Sequence, residues 1–485
     1  AAFMLIFVLV GKLIDREANS VALLFFVALL MLLYNPMYVN DVGFQLSFIV
    51  TFGLLVMTPL LLKSNSKIIN GVIGAVAIPF FAQLWVIPLQ IFYFNNISLY
   101  SIFANIMSVP ILFVISFGGF ISSLLCLISP ISHFVCMVFD FILNPLLSLL
   151  VNISDFWGHL PHSAIQTTHP NIFQIILYYA ILLLVVSTFY KEIREKYLKR
   201  IVTTLLILVF IWMITLIPIK NSNLEITAFD VGNADCFLLK TPQNEYIMID
   251  TGKSGYNGGK SQAEIIMLKY FKDNGIKHIN SIIITHFDND HCGGALDLMS
   301  GLKVDRLYVN DENNMSNLAK SIYSKANDTG VKVVLAKNNE IIYDKDGLKL
   351  TNYLLSDIKG DNNKSIITLL KYNNFSMLFT GDAGISALRP LLNHFPQNID
   401  VLKIPHHGAS NVLNKEIVQY INPKYSIVSV GENKFGHPNL YTLKLLEKSK
   451  ILRTDKDNSI KVMVYKNHYK IKAFNSKSRK YENID

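Results

Sequence analysis

Positive charge is missing from a long stretch of this 485-residue chain, since no Lys or Arg occurs between Ile68 and Tyr190. Only 16% of all residues are charged, and the mean hydropathy is +0.36. A composition this apolar excludes a single ordinary soluble domain. Lysine, aspartate and asparagine return at the frequency of globular proteins beyond Lys220. We therefore predict two domains, at 1–220 and 221–485.

Cysteine is also scarce, and its spacing is uninformative. The four cysteines form no CxxC pair and no even framework, so the fold does not require disulfides. Cys126 and Cys136 lie in apolar runs, where a cysteine behaves as a small hydrophobic residue.

Long apolar runs dominate the first half of the chain. They approach the roughly 20 residues that a membrane span needs. The chain begins at Ala1 without a methionine or a signal-peptide pattern, so we expect it to be the C-terminal part of a longer protein. We predict about eight spans, near residues 1–14, 20–35, 43–62, 69–93, 98–128, 132–157, 172–190 and 201–219.

The basic residues of this half predict its orientation, because cytoplasmic connections keep Lys and Arg. Lys12 and Arg16 follow the first predicted span, Lys63 and Lys67 follow the third, and the loop "KEIREKYLKR" at 191–200 follows the seventh. The remaining connections carry almost no charge. This pattern predicts that the C-terminal half lies outside the cytoplasm of a bacterial cell.

Polar residues within the predicted spans allow two interpretations. They either face a bundle interior or water path, or they satisfy one another between helices. Three prolines in the same segments are able to break helices beside a cavity. The polar residues are Gln45, Gln83, Gln90, Asn105 and Asp140, and the prolines are Pro79, Pro88 and Pro110.

The net charge of +9 also has two readings. A surplus of Lys and Arg suits an anionic partner such as nucleic acid or phospholipid, but it equally suits a solvated basic surface.

From Leu224 the pattern changes to short β-branched runs separated by Gly, Asn and Asp, with helical periodicity between them. A first block with this pattern runs from "LEITAFDVG" to "VKVVL", and a second block with the same pattern runs from "LKLTNYLL" to "KYSIVSVG". Two such blocks predict two mixed sheets packed face to face between helix layers, an αββα sandwich.

The chemistry of this half is concentrated where strands end. In "IIITHFDNDHCGG" the apolar run stops at Thr285, and four of the next six side chains are able to bind a metal. Imidazole and carboxylate together suit zinc, manganese or iron, and the absence of cysteine among the candidates keeps manganese open. The four residues are His286, Asp288, Asp290 and His291.

Three later elements repeat this arrangement. "LFTGDAG" ends a strand at Asp382, "KIPHHGAS" carries Lys403, His406 and His407, and "GHP" supplies His437. Each alone has a structural explanation, such as helix capping by an aspartate. Their recurrence after separate strands predicts one shared site.

The assembled set resembles the metallo-β-lactamase superfold and, more narrowly, the ComEC family of DNA-uptake channel proteins. "NPMYVNDVGFQLSFIVTFGLL" and "AQLWVIPLQIFYFNNISLYSIFANIMSVPI" resemble that family's competence region. "FDVGNADCFLL", "MIDTG", "THFDNDHCGG", "NNKSIITLL", "LFTGDAG", "LKIPHHGAS" and "GHP" follow in the family's order. The family's N-terminal region is missing from the resemblance.

The resemblance implies a role for each matching residue. It implies one or two divalent ions, Mn or Zn, bound by His286, Asp288, Asp290, His291, Asp382, His406 and His407. Catalysis is implied for Asp290, Asp382 and His407, and substrate contact for Asn363, Ser365, Lys403 and His437. A supporting role behind the ligands is implied for Asp230, Asp235 and Asp250.

The sequence departs from the family pattern at two loops. Ala234 and Cys236 stand where the family's DVGQGDA has glycine and alanine, and Ala409 stands at the serine position of HHGS. Every candidate ligand remains, so the departures raise the question of whether they reduce activity.

The resemblance implies DNA uptake in natural transformation. A multi-pass protein of the bacterial plasma membrane would pass one DNA strand, while an extracytoplasmic nuclease domain degrades the other. Lys253, Lys260 and Lys434 are expected to favour entry of the polyanion. The implied partners are DNA, membrane lipid, other competence proteins and, as an open alternative, a second copy of the chain.

Two rival functions remain. One is a membrane-anchored metallohydrolase acting on a small phosphoester or cell-envelope substrate. The other is a transport protein whose metal domain is a non-catalytic gate or DNA-binding platform.

Overall fold

The chain forms two compact units, residues 1–218 with 272–275 and residues 219–271 with 276–485. In this computed structural model, the described residues are 19–61, 66–127, 132–217, 222–256, 259–355, 357–478 and 480–484. The first predicted span and the predicted basic residues Lys12, Arg16 and Lys63 lie outside them.

The first unit is helical, and a short antiparallel pair of strands, β1 (Asn96–Ser98) and β2 (Ala164–Gln166), joins two of its connections. Its described helices are α1 (Ser20–Tyr34), α2 (Val42–Leu61), α3 (Lys67–Phe94), α4 (Ser101–Leu125), α5 (Ser132–His159), α6 (Ile172–Ser187) and α7 (Lys191–Thr215). Of these, five are long and apolar enough to cross a membrane, namely α2 to α5 and α7.

The predicted count of about eight spans exceeds these five helices. The segments predicted at 20–35 and 172–190 are helical, but α1 and α6 have only 15 and 16 residues. Local signals limit α1, since Asn19 caps its start and Pro36 closely follows its end. At α6, Asn171 and Gln174 form a capping box that fixes the first turn.

The prediction of a loop for "KEIREKYLKR" was wrong, because α7 begins at Lys191 and includes this segment. Its residues are mostly strong helix formers. Lys191 and Glu195 also lie four residues apart on one helix face, with Nζ and Oε1 separated by 3.9 Å. The basic segment is therefore the first part of the helix that leads toward the second unit in sequence.

A small aromatic core holds α2, α3 and α6 together. Trp85 is buried, meets Phe52 edge to face and stacks against Tyr179. A Cβ atom at Gly53 would lie 2.3 Å from the Trp85 ring, so the closest approach of α2 to α3 requires glycine there. This packing fixes the register between the two helices.

The second unit contains two mixed sheets, as predicted. One sheet has nine strands in the order β18-β17-β16-β3-β4-β5-β6-β7-β8, and the other has seven in the order β15-β14-β13-β12-β11-β10-β9. The strands are β3 (Leu224–Ala228), β4 (Cys236–Lys240), β5 (Tyr246–Thr251), β6 (His278–Ile283), β7 (Lys303–Val309), β8 (Lys332–Leu335), β9 (Glu340–Lys345), β10 (Leu348–Tyr353), β11 (Ile367–Tyr372), β12 (Phe375–Phe379), β13 (Val401–Lys403), β14 (Tyr425–Val428), β15 (Lys450–Arg453), β16 (Ile460–Val464), β17 (Tyr469–Asn475) and β18 (Lys480–Asn483).

Helices cover the outer faces of both sheets. Before β7 the chain forms a π turn at Ala263–Met267 and three short helices, and α11 precedes β8. The helices are α8 (Leu268–Asp273), α9 (Asn289–Cys292), α10 (Ala295–Gly301), α11 (Asn317–Thr329), α12 (Ile385–Leu391), α13 (Lys415–Ile421), α14 (Leu440–Leu445) and α15 (Thr454–Asp457).

Side-chain alternation along the strands produces the layers. On β4, Phe237 and Leu239 join the apolar cluster between the sheets, whereas Cys236 and Leu238 join the cluster under the helices. A third cluster, which includes Leu388, lies beneath the helices of the other sheet. The period of two residues thus gives each strand two buried faces, and the αββα prediction is confirmed.

The last strands were not anticipated from the sequence. β16 pairs antiparallel with β3, opposing Ile460 with Ala228, and β17 and β18 extend the same sheet. The last part of the chain therefore pairs with β3, the first strand of the unit, and extends the same sheet.

Candidate metal centre

The candidate ligands follow strands of both sheets. Thr285 ends the apolar run of β6, Asp382 follows β12, and His406 and His407 follow β13. β6 pairs in parallel with β5 and β7, and β13 pairs in parallel with β12 and β14. The polar residues that follow these strands therefore lie at the carboxyl edge of each sheet. The structure brings these loops from the two sheets to one point.

A first group of ligand atoms comes from His286, His291 and Asp382, which are all buried. Asp382 Oδ1 lies 3.2 Å from His291 Nε2, and Asp382 Oδ2 lies 3.9 Å from His286 Nε2. Among the described residues, neither Nε2 atom nor Asp382 Oδ1 has a hydrogen-bond partner of good geometry. Buried polar atoms are normally satisfied. Their convergence without partners is therefore the arrangement expected for a cation site.

A second group combines Asp290, His291 and His407. His407 Nε2 lies 3.2 Å from Asp290 Oδ2, while His407 Nδ1 donates to the carbonyl oxygen of Ser429 at 2.7 Å. This bond fixes the tautomer of His407 and leaves Nε2 available as a ligand atom. Because His291 belongs to both groups, the two sets of candidate ligand atoms adjoin each other.

Two predicted ligands lie at the rim. The side chain of Asp288 is half exposed, and its Oδ2 is 3.4 Å from His286 Nε2. His406 is partly exposed, with Nε2 3.7 Å from Asp382 Oδ2. Both His406 and His407 have positive φ, at +46° and +52°, a conformation that non-glycine residues rarely adopt. This backbone directs two consecutive imidazoles toward one centre.

Asp250 supports His291 from behind. It accepts hydrogen bonds from the backbone N–H of Thr285 at 2.8 Å, from Thr285 Oγ1 at 2.9 Å and from His291 Nδ1 at 2.7 Å. With Nδ1 engaged in this way, His291 presents Nε2 to the centre. The structure thus places Asp250 where a residue behind the ligands is predicted.

Lys403 is an internal cation rather than a surface contact. Its ammonium forms an ion pair with Asp235, donates to the carbonyl oxygen of Gly381 at 2.7 Å and lies 3.7 Å from Asp382 Oδ1. Gly381 is required there because its φ is +52° and a Cβ atom would lie 2.9 Å from Ser365 Cβ. The structure places Lys403 and Asp235 beneath the ligands, away from solvent.

The other predicted substrate and supporting residues are placed differently from one another. Ser365 is fully buried, and its Oγ accepts from the backbone N–H of Asp382 at 3.2 Å. Asn363 Oδ1 accepts from the N–H of Gly384 at 3.2 Å. Both residues therefore hold the Asp382 loop. Asp230 accepts from the N–H of Gly232 in its own turn and contributes no atom to the ligand groups.

His437 lies beside the rim. Its ring centroid is 5.7 Å from that of His406, and it stacks on the exposed Phe435 at 5.8 Å. The lysines predicted to attract a polyanion are exposed, although Lys260 pairs with Glu264 at 2.8 Å. These lysines are Lys253, Lys260 and Lys434.

Electrostatics couple the buried acids and imidazoles. Burial by itself lowers the pKa of His291, but the carboxylates of Asp382 and Asp250 outweigh burial and raise it well above its usual value. Burial raises the pKa of Asp290, but the hydrogen bond from His407 together with the charges of His291 and His407 outweighs this effect and lowers the pKa to about 2. The charges of His291 and Lys403 likewise lower the pKa of Asp382 well below its usual value against the effect of burial. Asp290 and Asp382 are thus ionised at neutral pH and available to bind a cation.

Three contributors were missed at the sequence level. Thr285 directly precedes the metal motif and could have been found there, and Asn362, whose Nδ2 is 3.3 Å from His406 Nδ1, begins the quoted "NNKS" element. The carbonyl oxygen of Ser429 has no sequence signal, because any residue type supplies a carbonyl.

The three departures from the family pattern are buried packing positions. Cys236 Sγ faces Met267 at 2.8 Å, and burial raises the pKa of its thiol well above the usual value. The carbonyl oxygen of Ala409 accepts from Thr442 Oγ1 at 2.7 Å, and Ala234 is fully enclosed. None of them belongs to a ligand group within the described residues.

The donor set fits a divalent metal. It combines imidazole nitrogen with carboxylate oxygen and contains no thiolate, which suits Zn or Mn. The residues best placed to hold an ion are His286, His291 and Asp382, with Asp290 and His407 beside them. The identity of the ion, Zn or Mn, stays a prediction.

Comparison with known proteins agrees with both units. The competence protein model matches residues 1–192, and the metallo-beta-lactamase superfamily model matches residues 229–432. ComE operon protein 3 of Bacillus subtilis (strain 168) is 27% identical over 481 residues, 95% of this chain and 60% of that protein. Recombination protein 2 of Haemophilus influenzae is 24% identical over 259 residues, covering 52% of this chain and 30% of that protein.

Solved structures are similar to this chain at low identity. A diphosphatase of the PhnP family is 14% identical, with a TM-score of 0.32, 50% of this chain covered and 98% of that one. Zn(2+)-bound PqqB from Methylobacterium extorquens is 12% identical, with a TM-score of 0.32 and coverage of 45% and 85%.

Fold and site together define a helical membrane protein that carries a metallo-β-lactamase domain. Because a competence-protein region precedes that domain, the chain belongs to the ComEC family. It spans about three fifths of the length of its Bacillus relative.

Proposed function

We propose that this protein takes part in DNA uptake during natural transformation. Its helical unit passes one DNA strand through the plasma membrane, and its metal domain hydrolyses phosphodiester bonds of the other strand. The observation that carries the proposal is the pair of ligand groups sharing His291, on a chain whose first part matches competence proteins. A divalent ion held by these residues would suit displacement at phosphorus, because it would stabilise negative charge on the phosphoryl oxygens.

The residues divide the work in this proposal. A divalent ion held by His286, His291 and Asp382 would lower the pKa of a water to about 7 and would offset charge on the phosphate. Asp250 orients His291, and the Ser429 carbonyl orients His407, so both rings present Nε2. Lys403 offsets part of the negative charge of Asp382 and Asp235, which limits repulsion within the buried cluster.

The rim is where a phosphate would approach. Burial lowers the pKa of His406 and of His437, so both imidazoles are neutral at pH 7 and able to donate one hydrogen bond each. Beneath them, Ser365 and Asn363 hold the Asp382 loop in place. A phosphodiester is therefore met by partly exposed imidazoles above a rigid, buried ligand set.

The proposed orientation places the metal domain outside the cytoplasm. The first part of α7 contains five basic residues, and the rule that Lys and Arg remain inside assigns this end to the cytoplasm. A single crossing by α7 then carries the following chain to the opposite side. This orientation follows from α7 alone and is independent of the total number of spans. The basic residues are Lys191, Arg194, Lys196, Lys199 and Arg200.

One observation favours a second candidate, a membrane-anchored metallohydrolase acting on a small phosphoester or cell-envelope substrate. In the helical unit, Tyr93 donates to Gln45 at 2.8 Å, and Gln83 donates to Gln90 at 3.1 Å. Polar groups that satisfy one another in this way do not require a water path. A packed bundle would then serve as an anchor.

The test uses the full chain in detergent with labelled single-stranded and double-stranded DNA. Cleavage is expected with Mn or Zn, and it should stop on adding a chelator. Asp290→Ala should lose cleavage, whereas Asp344→Ala, which changes a carboxylate with a largely exposed side chain on β9, should keep it. DNA left intact under every metal condition, with small phosphoesters cleaved, would favour the anchored hydrolase.

A further inference from the structure

A groove that none of the predicted roles uses lies between two helices that follow the metal loops. It encloses about 710 Å³ between α13 and α14. α13 leads from β13 to β14, and α14 leads from β14 to β15, so both helices cover the same parallel part of the sheet. The groove therefore runs along the outer helix layer.

The helix that forms one wall of this groove is bonded to a loop of the metal centre. The backbone N–H of Asn439, which caps α14, donates to the Gly408 carbonyl oxygen at 2.8 Å, and Thr442 Oγ1 donates to that of Ala409 at 2.7 Å. Gly408 directly follows His407. The first turn of α14 is thus fixed to the loop that carries two candidate ligands, and Tyr441 in this turn also lines the groove.

Charge in the groove is mainly positive. Its charged lining residues are Lys415, Lys444, Lys448 and the single acid Glu447. The three lysines are exposed, and within the described residues none of them has an ion-pair partner. Unpaired lysines along a groove attract a polyanion and release its counterions on binding.

An exposed aromatic ring stands among these lysines. Tyr441 lines the groove one turn of α14 before Lys444, and its surface is 53% exposed. At the rim, the exposed Phe435 stacks on His437. Grooves that bind single-stranded nucleic acid combine a positive track for the phosphates with aromatic rings on which bases stack.

We propose that the groove between α13 and α14 binds a single nucleic-acid strand whose scissile phosphate lies at the metal centre. The lysines contact phosphates and Tyr441 stacks on a base. This inference rests on the proposed nuclease function. With helices of 7 and 6 residues, the groove is about 10 Å long at 1.5 Å per residue. It holds only a few nucleotides beside the site.

Binding without cleavage tests this inference. The full chain in detergent is stripped of metal with a chelator, and the anisotropy of a fluorescein-labelled single strand is followed as salt is varied. Lys415→Glu with Lys444→Glu should weaken binding by about tenfold or more. The slope of log affinity against log salt should become shallower by about 0.7 for each lysine removed.

Two further variants separate the components. Lys320→Glu with Lys332→Glu makes the same charge change at exposed positions on α11 and β8, in the other sheet's layer, and should alter affinity far less. Tyr441→Leu should weaken binding by about fivefold or more while keeping the parental salt slope, since stacking releases no counterions.

The outcomes distinguish this inference from the proposed function. Equal weakening by the groove pair and the control pair, or no strand binding by the parent, would overturn the groove while metal-dependent cleavage could still be observed. Groove-dependent binding by a chain that cleaves no DNA with any metal would support the groove and contradict the nuclease.

Discussion

The two units use the same apolar residue types in opposite ways. In the helical unit, Phe113 and Phe141 are 68% and 82% exposed, and the largest described buried cluster has Trp85 at its centre. In the sheet unit, Ile283 and Leu370 are fully buried in one of three apolar clusters. In water, apolar side chains are buried between the sheets and beneath their helices, whereas lipid tails surround the apolar side chains of membrane helices. The comparison shows that stability has a different source in each unit.

The largest expected effect is a loss of metal binding and DNA cleavage that leaves the helical unit unchanged. Asp382→Ala removes the acceptor facing both His291 and His286, so metal content should fall and DNA cleavage should drop by about 10⁴-fold or more. Helix content by circular dichroism should stay unchanged. Transformation should also be lost if strand degradation is coupled to uptake.

The matched control is Asp344→Ala, which should keep parental metal content and cleavage. Metal bound by Asp382→Ala at the parental ratio would contradict the ligand assignment. Normal transformation by a cleavage-deficient Asp382→Ala would show that uptake and degradation are separable.

Trp85→Ala should chiefly affect the helical unit. Removing a buried indole that contacts Phe52 and Tyr179 should cost about 3–5 kcal/mol of stability. Thermal loss of the helical circular dichroism signal in one fixed detergent measures the change. Phe113→Ala, at an exposed position on α4, should shift the midpoint very little, and equal shifts for both variants would remove the distinction between buried and lipid-facing residues.

Leu370→Ala should act on the sheet unit alone. The side chain is fully buried between the sheets, so the cavity should cost about 2–5 kcal/mol. Cys236 and Cys292 are buried in this unit, and their labelling by a thiol reagent in rising urea reports its opening. The control is Ile341→Ala, at a half-exposed position on β9. Its buried cysteines should be labelled at nearly the same urea concentration as those of the parent.

The smallest effect is expected at the surface of the sheet unit. Lys424 Nζ lies 2.7 Å from Asp400 Oδ1, but the lysine side chain is 60% exposed. Solvent screening limits such a pair to under about 1 kcal/mol. Lys424→Ala should therefore barely change the urea midpoint of Cys236 labelling. A loss as large as that of Leu370→Ala would mean that charge pairs rather than apolar burial stabilise this unit.

Local pattern was enough to predict much of the fold. The alternation in "CFLLKT" gave β4 its two faces, and the strand end at Thr285 located the metal motif. Local pattern failed at Lys191, where a polar segment and the apolar segment after it form one continuous helix. A change in hydropathy does not by itself end a helix. Local pattern also failed to detect caps that shorten α1 and α6.

The residues of the candidate site could be proposed from the sequence, but their arrangement could not. His286, Asp290, His291 and Asp382 follow strands and were identified by type and spacing. Lys403, by contrast, was expected to contact substrate, and the structure encloses it with Asp235. Neither hydropathy nor spacing distinguishes an exposed lysine from one buried beside an acid.

Periodicity and composition act over a few residues, and they were sufficient to predict the two kinds of unit, the alternation of strands and helices and the chemical types of the candidate metal ligands. The pairing of β16 with β3, the hydrogen bond from His291 to Asp250 and the basic groove between α13 and α14 could not be predicted in this way. Such contacts join residues far apart in sequence and arise from packing the whole sandwich, whose cost in chain entropy and gain in burial are shared among many residues.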